Sequence, residues 1–249
     1  MKISVSLLGA LASVVAGHGL VTDFWINGKH QQGFLLDYYY AKKNGGAVPA
    51  IAAWYAENLD IGFVAPSEYG TAAINCHKNA SPGALTATVP AGGEVAFYWE
   101  AANKQPWPHA QGPILSYLAA CDGDCSRADP TKLAWVKIAA AGIDYDTQTW
   151  ASEDLIANNN TWTTKVPTGI APGNYVFRHE IIALHAAGSA NGAQNYPQCF
   201  NIQITGSGTA KPSGTLGTAL YTADHPGILF NPYQTIMSYD MPGPSMFTG

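Results

Sequence analysis

Short runs in which apolar and polar residues alternate recur along this 249-residue chain, and each is closed by a cluster of turn-forming residues. The runs Leu20–Ile26, Gly93–Trp99, Ile114–Leu118, Ala134–Ile138, Trp162–Val166, Asn174–Leu184 and Phe200–Ile204 carry the strand signal, the two-residue period that puts one face in a core. Between them stand clusters such as Ala80-Ser81-Pro82-Gly83, Asp122-Gly123-Asp124 and Ala171-Pro172-Gly173. Helical periodicity is scarce. Seven short strands separated by turns predict an all-β chain, an immunoglobulin/fibronectin-like antiparallel β-sandwich with long loops. The segments around residues 37–60, 144–160 and 206–239 show little strand pattern, and long loops on a rigid sandwich carry function. No internal repeat, Ser/Thr-rich linker or second cysteine-rich module interrupts the pattern, so one domain is expected over residues 18–249.

Residues 1–17 read as a signal peptide. Lys2 supplies the positive end, Ile3 to Val15 is apolar, and Val15-Ala16-Gly17 offers small residues to signal peptidase. Cleavage after Gly17 leaves His18 as the first residue; cleavage after Ala16 would leave Gly17 there. The apolar run is shorter than a membrane helix needs and nothing later replaces it, so an exported, extracellular protein with no membrane partner is expected. Only 12% of residues are charged. Losing Lys2 leaves eleven basic residues against seventeen acidic ones, a formal charge of −6. Without a Lys/Arg cluster nucleic acid is not an expected partner, and a neutral polymer fits better. Four cysteines in an exported chain imply two disulfides. Cys121 and Cys125 enclose only Asp-Gly-Asp, which leaves Cys76 to Cys199. A loop of that length is worth roughly 4–5 kcal/mol on a chain-entropy estimate. The spacing fits no paired zinc pattern.

An N-terminal histidine is chemically unusual because one residue offers two nitrogens, the imidazole and an α-amine with a pKa of about 7.7–8.0. Together they chelate, and a second imidazole opposite would complete a planar three-nitrogen site of the kind that favours Cu(II) over Zn(II). His109 lies in the constrained loop Trp107-Pro108-His109-Ala110-Gln111-Gly112-Pro113. His179 and His185 share a strand face with Tyr175, Phe177 and Ile181, where packing with satisfied hydrogen bonds is the usual role. His77 follows Cys76, and His30 and His225 stand in loops without obvious partners. Pattern alone does not decide between His109 and His185.

Several longer stretches are more specific: His18-Gly19, Ile74-Asn75-Cys76-His77-Lys78-Asn79, Trp107-Pro108-His109, the run from Ala171-Pro172-Gly173 through Arg178-His179-Glu180 to His185, and Gly192-Ala193-Gln194-Asn195-Tyr196-Pro197-Gln198-Cys199. Together they resemble the fungal lytic polysaccharide monooxygenases of auxiliary activity family 9, over practically the whole chain from His18 onward. The resemblance implies one copper ion held by the amine and imidazole of His18 and by His109, with Tyr196 weakly bound in the axial position. It implies that His185 and Gln194 hydrogen-bond oxygen species beside the metal, and it matches the pairings Cys76–Cys199 and Cys121–Cys125. One departure stands out. The family has a single residue between the second histidine and Gly-Pro, whereas Ala110 and Gln111 both stand there.

The implied activity is oxidative cleavage of β-1,4-glucosidic bonds of cellulose at C1 or C4, with an external electron donor and O2 or H2O2 as co-substrate. Hemicelluloses remain open as further substrates, and a monomer is expected. No pair of acids is placed convincingly for hydrolysis; Glu180, beside Arg178, reads as a structural ion-pair partner. An insoluble polymer calls for a flat face with aromatic rings, for which Tyr221 and Tyr39 in the Tyr38–Tyr40 run are the candidates. Asn159 opens the glycosylation sequon Asn159-Asn160-Thr161. The alternative is a secreted cell-wall carbohydrate-binding or copper-binding protein that does no chemistry.

Overall fold

The computed structural model describes residues 18–249, so the expected signal peptide lies outside the described residues. Twelve strands follow in chain order: β1 (Gly19–Ile26), β2 (Lys29–Gln32), β3 (Ala87–Pro90), β4 (Glu94–Ala101), β5 (Ile114–Ala120), β6 (Ala134–Ala141), β7 (Ile143–Asp144), β8 (Thr149–Trp150), β9 (Thr161–Lys165), β10 (Gly173–Ala183), β11 (Gln194–Thr205) and β12 (Thr215–Leu216). Three short helices, α1 (Leu36–Lys43), α2 (Ala73–Cys76) and α3 (Ala151–Ala157), lie between them. One sheet has the order β2-β1-β4-β9 and the other β12-β6-β5-β10-β11-β3, with β7 and β8 forming a separate hairpin. Every pairing is antiparallel except β11 with β3. The expected β-sandwich is the observed fold. Among the described residues no helix is long and apolar enough to cross a membrane.

All seven expected strands form. The largest difference is β11, which begins at Gln194, six residues before the expected Phe200, and runs through Pro197. Asn195 and Asn201 point their N–H groups outward, to the carbonyls of Val64 and Ala52. By alternation the nitrogen of Pro197 faces the same way, so no bond to β10 is lost. The segment around residues 37–60, expected as loop, contains α1.

The larger sheet is buried on both faces. On β10, Tyr175, Phe177 and Ile181 enter the core between the sheets with Phe24, Phe97 and Phe200. Val176 and Ile182 enter a second core with Trp54, Trp135, Trp150 and Tyr221. That second core is roofed by the long connections, including Leu220, Ile228 and Ile236. Much of what reads as functional loop is therefore the cover of a sheet face, which stabilises the fold by removing apolar area from water. Cys76 is bonded to Cys199, 123 residues apart, and Cys121 to Cys125. The first bridge ties α2 to β11 three residues beyond Tyr196.

Candidate metal centre

His18, His109, His185 and Tyr196 gather at the end of the sandwich where β1 begins and β10 ends. The rings form a continuous set. His18 lies 5.8 Å from Phe63, which lies 6.0 Å from Tyr196. Tyr196 lies 6.2 Å from His109, which stacks on His185 at 4.0 Å with 9° between the planes.

His18 is fixed from one side by a turn. Its Nδ1 donates to the Asp60 carbonyl at 3.0 Å; because Nδ1 is the ring nitrogen that can chelate together with the α-amine, holding copper would require the ring to turn away from this carbonyl. The next residue, Ile61, is buried with φ 48, a conformation that strains a β-branched side chain. The turn is held by the Asp60 carboxylate accepting from Gly62 N and by His77 Nε2 donating to the Gly62 carbonyl at 2.8 Å. His77 is thereby a neutral structural clamp; burial pushes its pKa down to about 4.

The second histidine sits on a loop pinned at several points. Buried Trp107 donates its main-chain N–H to Asn160 Oδ1 and its indole N–H to the His109 carbonyl at 2.9 Å. Gly112 has φ +148, and an added Cβ would lie 2.0 Å from the Ile182 carbonyl, so only glycine fits. Beyond Ile114, which pairs with Ile181, the ladder continues without a shift: Ile182 N donates to Pro113 O and Leu184 N to Gln111 O. The chain is thus in the β10 ladder from Gln111 onward, with Ala110 between it and His109, whose ring stacks on His185.

Tyr196 is fully buried and donates its phenol proton to Gln194 Oε1 at 2.8 Å. Burial, then the negative charge of Asp60, holds the phenol well above its ordinary range. The oxygen therefore stays neutral, with a lone pair and not a phenolate to offer. His185 is half-buried, and burial lowers its pKa ahead of the effect of His18. Its Nδ1 is buried without a hydrogen-bond partner in the protein. Imidazole nitrogens beside a neutral oxygen are the donor chemistry that suits copper. Among the described residues no group of three or more His, Cys, Asp or Glu side chains is placed to hold a metal; the donor set expected from sequence has only two such side chains, its third nitrogen being an amine.

A family model describing Auxiliary Activity family 9, formerly GH61, matches residues 18–240. The chain belongs to auxiliary activity family 9. It is 55% identical, over 246 residues and 98% of both chains, to the AA9 family lytic polysaccharide monooxygenase cel61B of Hypocrea jecorina. The solved structure of that glycoside hydrolase family 61 member superposes with a TM-score of 0.90, covering 92% of this chain and all of the other. A cellulose-active polysaccharide monooxygenase from M. thermophila is 32% identical with a TM-score of 0.75, covering 92% and 99% of the two chains. This chain is a copper-dependent polysaccharide monooxygenase by family.

Two residues expected on the substrate face of this family-9 monooxygenase are not there. Tyr221 is 5% exposed, donates to Glu180 and shares a 2.7 Å hydrogen bond with Tyr117; it belongs to the second core. Tyr39 is 7% exposed, turned inward from α1 against Tyr55, its hydroxyl accepting from Lys43. The ring that does stand beside the centre is Tyr233, 67% exposed, whose hydroxyl donates to the His185 carbonyl at 3.0 Å. Sequence reasoning passed over it, although the Asn231-Pro232 turn before it marks a loop tip. Asp60 and Phe63 were also missed, and neither has a local signal.

The remaining histidines have structural partners. His179 is fully buried, accepts from Trp99 Nε1 and donates to Ser116 Oγ. His30 pairs with Asp23, and His225 accepts from Gly227 N. Glu180 forms a buried two-pronged ion pair with Arg178, both contacts 2.7 Å, and also accepts from Asn195. That is the structural role its neighbour suggests.

Proposed function

We propose that this monooxygenase is released by cleavage after Gly17, and that the amine and imidazole of His18, the imidazole of His109 and the Tyr196 hydroxyl would together hold one copper ion. Its substrate is the β-1,4-glucan chain of cellulose, oxidised at C1 or C4, with an external electron donor and O2 or H2O2. The observation that carries this reading is the convergence of His18, His109, His185 and Tyr196 on one end of the sandwich. Two comparisons support it: the family match begins at His18, and a structural relative is cellulose-active.

Copper, when bound, supplies the one-electron chemistry that activates the oxygen co-substrate. The protein's own groups do the rest. Because the Tyr196 proton is directed at Gln194, the phenol presents a lone pair away from it. His185, kept neutral by burial, braces the His109 ring and offers imidazole nitrogen beside the metal position. Tyr233 gives the polymer an exposed ring on the His185 flank. Secretion and a monomeric state complete the reading, and Asn159, exposed at a loop, is its glycosylation acceptor.

The test is mass spectrometry of products from cellulose given copper and reductant. Oxidised oligosaccharides, absent with His109→Ala, are expected. A wild-type protein that binds copper and cellulose but yields no oxidised sugar would be a binding protein.

A further inference from the structure

A shallow groove of about 330 Å³ crosses the outer face of the smaller sheet. Strand alternation creates that face. Phe24 and Ile26 on β1, with Val95, Phe97 and Trp99 on β4, enter the core between the sheets, so Trp25, Ala96 and Tyr98 turn outward. Trp25 pairs with Ala96 and Ala96 with Thr163, one row across β1, β4 and β9. Tyr98 and Thr161 form the next row. Trp25 is half-buried and braced by the His30 ring at 5.5 Å, and His30 is held by Asp23 at 2.6 Å. One end of the groove is closed by the Asn27-Gly28 turn. There Asn27 Oδ1 accepts from Glu94 N at 2.9 Å, which leaves the Asn27 amide NH2 as a donor for a ligand.

The other end of the groove is the sequon. Thr161, which lines the groove, is the third residue of Asn159-Asn160-Thr161, and its hydroxyl donates to the Asn159 carbonyl at 3.3 Å. Asn159 itself is exposed. No cation lines the groove, and Glu94 is its one acid, so its chemistry suits a neutral ligand. The Trp25 ring offers an apolar face to a sugar ring, and the Thr161 and Thr163 hydroxyls with the Asn27 amide offer partners for sugar hydroxyls. We infer that this groove seats the core sugars of the glycan carried by Asn159. The inference rests on the proposed reading of Asn159 as a glycosylation acceptor. Direction gives the seat a use. Gly19, next to His18, pairs with Ala101 at one end of the sheet, and Ile26 pairs with Val95 at the other. Asn160 Oδ1 holds the main-chain N–H of Trp107, two residues before His109. The glycan thus starts at the end of the sandwich where the histidines gather, and the groove leads it back from there. Seated, it leaves the polymer face clear.

The test uses protein secreted from a glycosylating host, with the mass of the Asn159 peptide measured. It follows cleavage by an endoglycosidase that cuts between the two N-acetylglucosamines of the glycan core. In the native protein Trp25→Ala should speed cleavage about fivefold, the population shift that one lost aromatic contact brings. Once denatured, both proteins should be cut equally fast. Thr163→Arg, which fills the groove from an exposed position on edge strand β9, should act in the same way, and serves where Trp25→Ala is not secreted. Trp25→Ala should also weaken cellulose binding several-fold in the glycosylated protein and leave it unchanged in an Asn159→Gln background. Native cleavage rates that neither substitution alters would overturn the assignment. So would a loss of cellulose binding that persists in Asn159→Gln, because Trp25 would then touch the polymer itself. An Asn159 peptide without added sugar mass would instead sink the glycosylation reading, and the seat with it, so the two failures are distinguishable.

Discussion

The rings of His109 and His185 lie one on the other, 4.0 Å between centroids and 9° from parallel. His109 comes from a loop pinned by Trp107, and His185 from just beyond the end of β10. A ligand on a loop is thereby braced by a ring on a strand end, the kind of supporting contact that sets metal affinity. His185→Ala should weaken copper binding on the order of 10-fold. His185→Phe keeps the stack but removes both nitrogens, so copper affinity should survive while product formation falls. Calorimetry and product analysis on the two variants check this split; equal copper loss in both would contradict it.

Tyr196→Phe removes the part-buried hydrogen bond to Gln194. Stability should fall by about 1 kcal/mol. The Cu(II) spectrum should change while the copper stoichiometry stays at one. Urea denaturation and electron paramagnetic resonance measure the two effects.

Tyr233 and Tyr221 should behave oppositely. Tyr233→Ala, at an exposed tip, should alter stability by no more than about 0.5 kcal/mol and reduce cellulose binding several-fold. Tyr221→Phe removes a donor to the buried Glu180 carboxylate and should cost about 1–3 kcal/mol without weakening cellulose binding. Pull-down on cellulose beside thermal unfolding separates them.

Acid should destabilise the fold through its buried histidines. Burial lowers the pKa of His77 to about 4, and burial followed by the Arg178 charge lowers that of His179 to about 3. Unfolded, both return to about 6.5. Between those limits the unfolded chain binds more protons, so the stabilisation is full above about pH 6.5 and is lost as pH falls toward 3–4. Each contributes a slope of about 1.4 kcal/mol per pH unit. Denaturant midpoints at pH 7, 5 and 4 should decline, and His179→Gln should flatten the curve.

The sandwich was legible because strands such as β4 alternate cleanly between turns. The second core was not, because a strand buried on both faces, like β10, hides its outer face behind the same residue types. That is why Tyr221 read as a surface ring. His18, His109 and Tyr196 were found through resemblance and not through spacing, since their proximity is made by β1, β5 and β11 meeting at one end. Tyr39 failed for a different reason: three consecutive tyrosines say nothing about which one a short helix turns inward. Asp60 acts through its carbonyl, and no side-chain pattern announces a carbonyl.

The claim on which the rest depends is that His18 at the chain terminus and His109 hold one copper ion. Copper titration of the secreted protein, with its N-terminus sequenced and its Cu(II) resonance recorded, tests it most directly. The expected result is a chain beginning at His18 that binds one equivalent with an axial three-nitrogen spectrum, lost in His109→Ala and in a form carrying one residue before His18. Tight binding that survives either change, or a secreted chain starting at another residue, would contradict it.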